Sequence, residues 1–242
     1  MTLALFLLDS LPEAPTFSLT GEEGRHAARV RRIGVGEQIL VSDGRGEVAE
    51  CSVTAVLTDG LALQVLERST LPLPAPRLVV VQALPKGERA ELAVETMTEL
   101  GVDEIVPWAA SRSVVQWQGE RGTKALAKWR RTAREAAKQS RRAWVPVVSE
   151  LASTAAVARR LAGTTGLVLH EAATVPLAGV TLPTGGEVVI VVGPEGGISS
   201  DELAVFDSAG AVSVRLGEPV LRTSTAGPAA LAALSLRLGR WG

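Results

Sequence analysis

One cysteine, two histidines and no long apolar run set the first limits on this 242-residue chain. Cys51 alone cannot make an intramolecular disulfide, which points to a reducing compartment. Cys51, His26 and His170 are too few soft ligands for a structural zinc site, so no metal is expected. The N-terminal apolar run, residues 3–8, has no basic residue before it and Asp9 after it. It is too short for a signal segment or a membrane span, so a cytoplasmic protein with no membrane partner is expected. No internal repeat or low-complexity segment is visible, and no Ser/His/Asp or Cys/His nucleophilic set can be assembled.

What is present is an ordinary globular composition with uneven charge. Hydrophobic residues make up 46% and charged residues 21%, and the length allows one large domain or a small and a medium one. The net charge of −1 hides a segregation. Residues 121–142 hold Arg121, Lys124, Lys128, Arg130, Arg131, Arg134, Lys138, Arg141 and Arg142 against Glu135 alone. That segment carries +8 and leaves the remainder of the chain at −9. A second basic knot, Arg25-His26-Ala27-Ala28-Arg29-Val30-Arg31-Arg32, contains no acid. Such runs are either solvated helix faces or the footprint of a polyanion such as nucleic acid.

Residues 1 to about 70 read as short strands, with a hairpin at Asp43-Gly44-Arg45-Gly46 between 38–42 and 47–53, and a further strand at 61–66. Three prolines, Pro72, Pro74 and Pro76, then forbid a ladder or a helix and mark a boundary. The spacing predicts domains at 1–72 and 73–242. Beyond the boundary, apolar strands at 78–83, 105–108, 166–171, 187–192 and 212–216 alternate with helices at 88–100, 124–141 and 226–238. The pattern is α/β, a parallel sheet covered by helices on both faces.

Two strand-to-helix junctions stand out. The run 187–192 ends in Gly193-Pro194-Glu195-Gly196-Gly197-Ile198-Ser199, where Ser199 and Glu202 form a capping box for a helix beginning at Ser200. This loop lacks both the Gly-x-Gly-x-x-Gly spacing and the Gly-Lys-Ser/Thr ending of nucleotide loops. Glu195 suits a neutral or cationic ligand better than a phosphate. The second junction, Gly217-Glu218-Pro219-Val220-Leu221-Arg222-Thr223-Ser224-Thr225-Ala226, places Arg222 before a Ser224/Thr225 N-cap pair. A guanidinium at a helix mouth can bind a phosphate or stabilise a base that has lost a proton. Each loop also has a purely structural reading.

With Lys86-Gly87-Glu88-Arg89, Glu99-Leu100-Gly101-Val102, Ser111-Arg112-Ser113 and Arg134-Glu135-Ala136-Ala137-Lys138-Gln139-Ser140-Arg141, these motifs resemble the ribosomal RNA small subunit methyltransferase E family. That family belongs to the SPOUT superfamily. The resemblance spans nearly the whole chain. It implies a PUA-like β-barrel that binds RNA, followed by a SPOUT domain whose chain threads a deep trefoil knot. It implies S-adenosylmethionine as cofactor, held by Leu169, His170 and Glu171, by Val192, Gly193, Pro194, Glu195, Gly196 and Gly197, and by Leu216, Gly217, Val220 and Leu221, with Ser224 and Thr225. It implies methylation of N3 of a uridine in 16S rRNA by a homodimer, with Arg222 as the electrostatic catalyst. RNA contacts fall on Arg25, His26, Arg29, Arg31, Arg32, Lys86, Arg112, Arg134 and Arg141. Two residues depart from the family pattern: Ser224 stands where a glutamate is usual, and Lys138 where a glutamate often precedes Gln-Ser. The Ser224 departure leaves open a non-enzymatic RNA-binding factor on the same fold, and an enzyme for another RNA position is a further alternative.

Overall fold

The computed structural model describes residues 3–241, which fall into two compact units. The first comprises Met1–Leu73 with Ala137–Val145; the second comprises Pro74–Ala136 with Pro146–Gly242.

The first unit is built on a five-stranded sheet in the order β1-β3-β4-β5-β2. Its strands are β1 (Leu5–Leu7), β2 (Thr16–Leu19), β3 (Gln38–Ser42), β4 (Glu47–Leu57) and β5 (Gly60–Thr70). Only β1 and β3 run parallel; the other pairs are antiparallel. Asp43 makes the β3–β4 turn, its Oδ1 accepting from the backbone N–H of Arg45 at 2.7 Å and of Glu47 at 3.0 Å. Alternation in β4 sends Ala49, Cys51 and Val53 inward against Phe6, Leu19, Ile39 and Leu61. A short α1 (Gly21–Arg25) runs into a single π-helical turn, His26–Val30. Residues 137–145 join this unit through backbone bonds from Gly46 N to Ala143 O and from Val145 N to Gly44 O.

The second unit carries seven strands, all parallel, in the order β10-β12-β9-β11-β6-β7-β8. They are β6 (Arg77–Ala83), β7 (Glu104–Trp108), β8 (Val147–Val148), β9 (Thr165–Leu169), β10 (Val175–Pro176), β11 (Glu187–Val192) and β12 (Val212–Arg215). Successive residues of β6 and β11 serve opposite faces, and both faces are buried. Leu78, Val80, Val188 and Ile190 pack with residues of α2 (Arg89–Glu99), α3 (Gly119–Gln139) and α6 (Thr223–Arg237). Val79, Val81, Val189 and Val191 pack with α4 (Thr154–Leu161) and α5 (Ser200–Ser208). Burial on both sides is why these strands read as unbroken apolar runs. No helix among the described residues is long and apolar enough to cross a membrane.

At the amino ends of the central strands lies a charged cluster. Arg160 of α4 forks onto Glu104 with two bonds of 2.7 Å and also reaches Glu187; Arg77 pairs with both carboxylates. Burial pushes the Glu104 carboxyl up, but hydrogen bonds from Arg160 and Ser149 and the charges of Arg160 and Arg77 outweigh it and hold the group low.

Candidate active site

In parallel sheets, ligands collect beyond the carboxyl ends of the strands. Three neighbouring strands, β12, β9 and β11, end at Arg215, Leu169 and Val192, so the loops that follow are adjacent. Together they enclose a cleft of about 350 Å³. Leu169, His170 and Glu171 line it from the first loop; Val192, Gly193, Pro194, Glu195 and Gly197 from the second; Val220, Leu221 and Arg222 from the third. Leu216 and Gly217 line a smaller recess beside it, which shares Leu169, His170, Glu171, Val220 and Leu221. Gly196 lines neither. A Cβ there would sit 3.2 Å from Cβ and the carbonyl of Arg112.

Packing fixes the shape of the glycine loop. A Cβ on Gly193 would come within 2.7 Å of Ile198 Cγ1, so only glycine lets the chain fold back on itself. Gly197 adopts φ +72°, and its N–H closes the turn onto Pro194 O at 2.9 Å. The capping box is present: Ser199 Oγ accepts from Glu202 N, and the Glu202 carboxylate accepts from Ser199 N. Across the cleft, Thr223 Oγ1 donates to Gly193 O and ties α6 to the loop. Glu195 Oε1 accepts from the backbone N–H of Lys86 at 3.2 Å.

Glu202 does more than cap. It is 4% exposed, and its carboxylate also accepts from Ser111 N, Ser111 Oγ and Thr154 Oγ1. Burial alone would raise its pKa, yet the bonds from Ser111 and Ser199 win and lower it. The loop so fixed carries Arg112, whose Nη1 donates to Gly196 O at 3.3 Å. The residue that best explains the loop's position is therefore buried four residues beyond its last glycine-loop neighbour, Ile198.

The end of the third loop differs from expectation. Ser224 and Thr225 do not cap α6. Arg222 is the N-cap, extended at ψ 152°, and its carbonyl accepts from Thr225 N and Ala226 N. Ser224 is buried in the first turn, Thr225 is exposed, and neither lines the cleft. The helix begins at Thr223, ahead of that pair, and the Thr223 hydroxyl donates outward to Gly193 O. Arg222 is exposed, and its guanidinium has no partner among the described residues. Arg89, Ile198, Thr223 and Ala226 also line the cleft. Arg89, quoted above only as part of a supporting motif, enters the cleft from the start of α2, far in sequence from the other loops.

His170 is half-buried, with Nδ1 accepting from Ala172 N at 3.2 Å. Lys86 and Arg112 are exposed, and Arg134 is half-buried on α3.

In the first unit, Arg25, Arg29, Arg31, Arg32 and Arg141 are exposed and His26 is half-buried. Arg29 Nη2 donates to Thr58 O at 2.9 Å. Lys138, one of the bases of the run 121–142, is buried and paired with Glu23 at 2.6 Å, so it is neither a solvated charge nor a free RNA contact. An acid on α1 thus answers the base that departs from the family pattern.

Residues 72–235 match the RNA methyltransferase domain family, and residues 19–66 match the RNA methyltransferase PUA domain. Ribosomal RNA small subunit methyltransferase E of Mycobacterium tuberculosis is 47% identical over 247 residues, covering 100% of this chain and 94% of its own. The Bacillus subtilis protein of the same name is 33% identical over 234 residues, covering 93% and 91%. Among solved structures, ribosomal RNA small subunit methyltransferase E from Neisseria gonorrhoeae bound to S-adenosyl methionine superposes with a TM-score of 0.87. It shares 27% identity over 98% of each chain.

Proposed function

The chain belongs to the ribosomal RNA small subunit methyltransferase E family, and from that premise we propose that it transfers the methyl group of S-adenosylmethionine to N3 of a uridine in 16S rRNA. The observation that carries this reading is the pairing, in one cleft, of the carboxylates Glu171 and Glu195 with an uncommitted guanidinium at Arg222. A cationic cofactor and an anionic base require those two kinds of group.

The cleft fits that cofactor. Val220 is 77% exposed and Leu221 37%, apolar surface that a flat adenine ring can cover. Gly217 has only Pro219 Cδ at 3.8 Å near its missing Cβ and no left-handed backbone, so the protein's own packing does not require glycine there. With glycine there, that side of the recess stays open to a ligand. Glu171 and Glu195 are placed to face positive charge.

S-adenosylmethionine supplies a methyl group on a positively charged sulfur, which leaves as a neutral thioether. The residues of the chain act on the base. Uridine N3 holds its proton well above neutral pH, so an attacking N3 must lose that proton to solvent as charge spreads over the ring. Arg222 sets a permanent positive charge and a planar donor fork where that charge appears. Thr223 and Gly193 hold the two walls together, so base and methyl donor meet at a fixed separation.

In the same reading the enzyme works in the cytoplasm as a homodimer, and its cofactor loops belong to a deep trefoil knot in a domain at 73–242. Residues 1–72 form the PUA-like β-barrel that holds RNA. The test is Arg222→Ala at saturating S-adenosylmethionine. Turnover should fall by about 10²–10³, the usual effect of losing one charge-stabilising donor, with cofactor affinity within a few-fold of wild type. Wild-type turnover would overturn the assignment of Arg222. A 16S rRNA from a deletion strain that still carried every methyluridine would overturn the function.

A further inference from the structure

A small cavity of about 110 Å³ lies wholly within the first unit, walled by β1 and the residue stretch before it, by His26 and Arg31, and by Lys138 and Arg141 of the 137–145 segment. We propose that it is a pocket for a single backbone phosphate of the RNA, gripped by Arg31 and Arg141 above His26. This rests on the reading that the chain binds ribosomal RNA.

Charge points to an anion. Arg31 and Arg141 have no side-chain partner among the described residues, and no carboxylate lines the cavity. The third cation, Lys138, is paired with Glu23 at 2.6 Å and supplies wall rather than net charge. Two arginines lining one small space put two positive charges near it that an anion would balance, and a planar fork is the donor that suits a phosphate. Size restricts the anion. The cavity is well under the ~300 Å³ at which ordinary ligand pockets begin, enough for a phosphate but not for a nucleotide with its sugar and base.

The backbone is bent to make this site. Residues five apart lie about 140° from each other around an α-helix, so His26 and Arg31 would face different ways. The π-helical turn His26–Val30 brings them into line, with Arg31 N bonded to His26 O at 2.9 Å. Such turns are rare and gather at functional sites. Phe6 meets the His26 ring edge-on at 6.1 Å and fixes its tilt. After α3 the chain turns at Arg141 with φ +55°, a position that glycine usually fills. Arg32, next to Arg31, has the same φ of 55°. Arg32 does not line the cavity; of the two, it is Arg141, an arginine held where glycine is favoured, whose side chain bears on this site.

The test measures binding of the full-length protein to a 16S rRNA fragment from 50 to 300 mM salt, for wild type, Arg31→Gln, Arg141→Gln and the double variant. Both residues are exposed, so the variants should melt with wild type. Each single variant should weaken binding roughly tenfold. The double should fall well short of the hundredfold product, because both arginines serve one phosphate. The slope of log affinity against log salt should drop by about one contact. Lys124→Gln, whose ammonium is paired with Glu120 on the surface, should leave the slope unchanged. Inorganic phosphate should displace RNA from wild type more than chloride of equal ionic strength, and lose that advantage on the double variant. Wild-type slope in the double variant, or equal displacement by phosphate and chloride from wild type, overturns the pocket. A wild-type protein that methylates and binds no small-subunit RNA overturns instead the function on which it rests.

Discussion

Exchanging Glu202 for glutamine measures how firmly the glycine loop is held. Oε1 accepts from Ser111 N at 2.8 Å and Thr154 Oγ1 at 3.2 Å. Oε2 accepts from Ser199 N at 3.1 Å, Ser199 Oγ at 2.8 Å and Ser111 Oγ at 2.9 Å. Glutamine keeps the shape but makes one of the two acceptors a donor. Whichever way the amide turns, a backbone N–H of Ser111 or Ser199 then faces another N–H. A buried donor left without a partner costs about 1–3 kcal/mol, and the remaining bonds lose their charge assistance. We expect a loss of about 2–4 kcal/mol, which for a chain of this size lowers Tm by roughly 5–15 °C. The pH dependence has a definite sign. The folded carboxyl titrates below its ordinary 4.5, so its contribution is complete above that value and is lost as pH falls through the lower folded one. Thermal melts followed by circular dichroism should show a constant gap between wild type and Glu202→Gln from pH 8 to pH 6, closing below about pH 4. A gap under 2 °C at pH 7, or one that widens on acidification, would refute the reasoning.

Gly193→Ala places a Cβ 2.7 Å from Ile198 Cγ1, and the overpacking, about 1–3 kcal/mol, should appear as a roughly tenfold weaker S-adenosylmethionine affinity by calorimetry. Unchanged affinity would mean that the loop is not part of the cofactor wall. Glu104→Gln strips Arg160 of its forked partner and should destabilise the protein by about 3 kcal/mol in urea melts. A loss under 1 kcal/mol would show that Glu187 alone suffices. The thiol of Cys51 is buried, and that burial pushes its pKa to about 11. It should resist thiol reagents at pH 8 until the protein is unfolded, and labelling of the native protein within seconds would contradict its placement.

The central strands of the second unit, β6 and β11, were legible because both of their faces are buried and they are written mostly in valine, isoleucine and leucine, whereas β8 and β10, two residues each, carry no pattern to read. The glycine loop was legible because Gly193 stands where a side chain has no room and Gly197 where the backbone is left-handed. The onset of α6 was not. Ser224 and Thr225 look like caps, but the helix already starts at Thr223, whose hydroxyl goes to a carbonyl thirty residues away. Helix α4 lies outside the helices that the spacing predicts, although its start carries an ordinary N-cap, Ser153, which accepts from Ala156 N. Lys138 and Arg89 mark the limit of local reading. The partner of the first lies 115 residues away, and the second reaches the cleft from a different strand's loop. Nothing in the spacing of either residue encodes those meetings.

The two borders of the seven-stranded sheet, β8 and β10, are two residues long, and one of the four residues is Pro176, which has no N–H to offer. A sheet that is otherwise wide and strongly apolar thus exposes almost no free ladder. A second chain arriving at either border finds too few donors and acceptors to dock as an extra strand, which guards the protein against fibre-like growth.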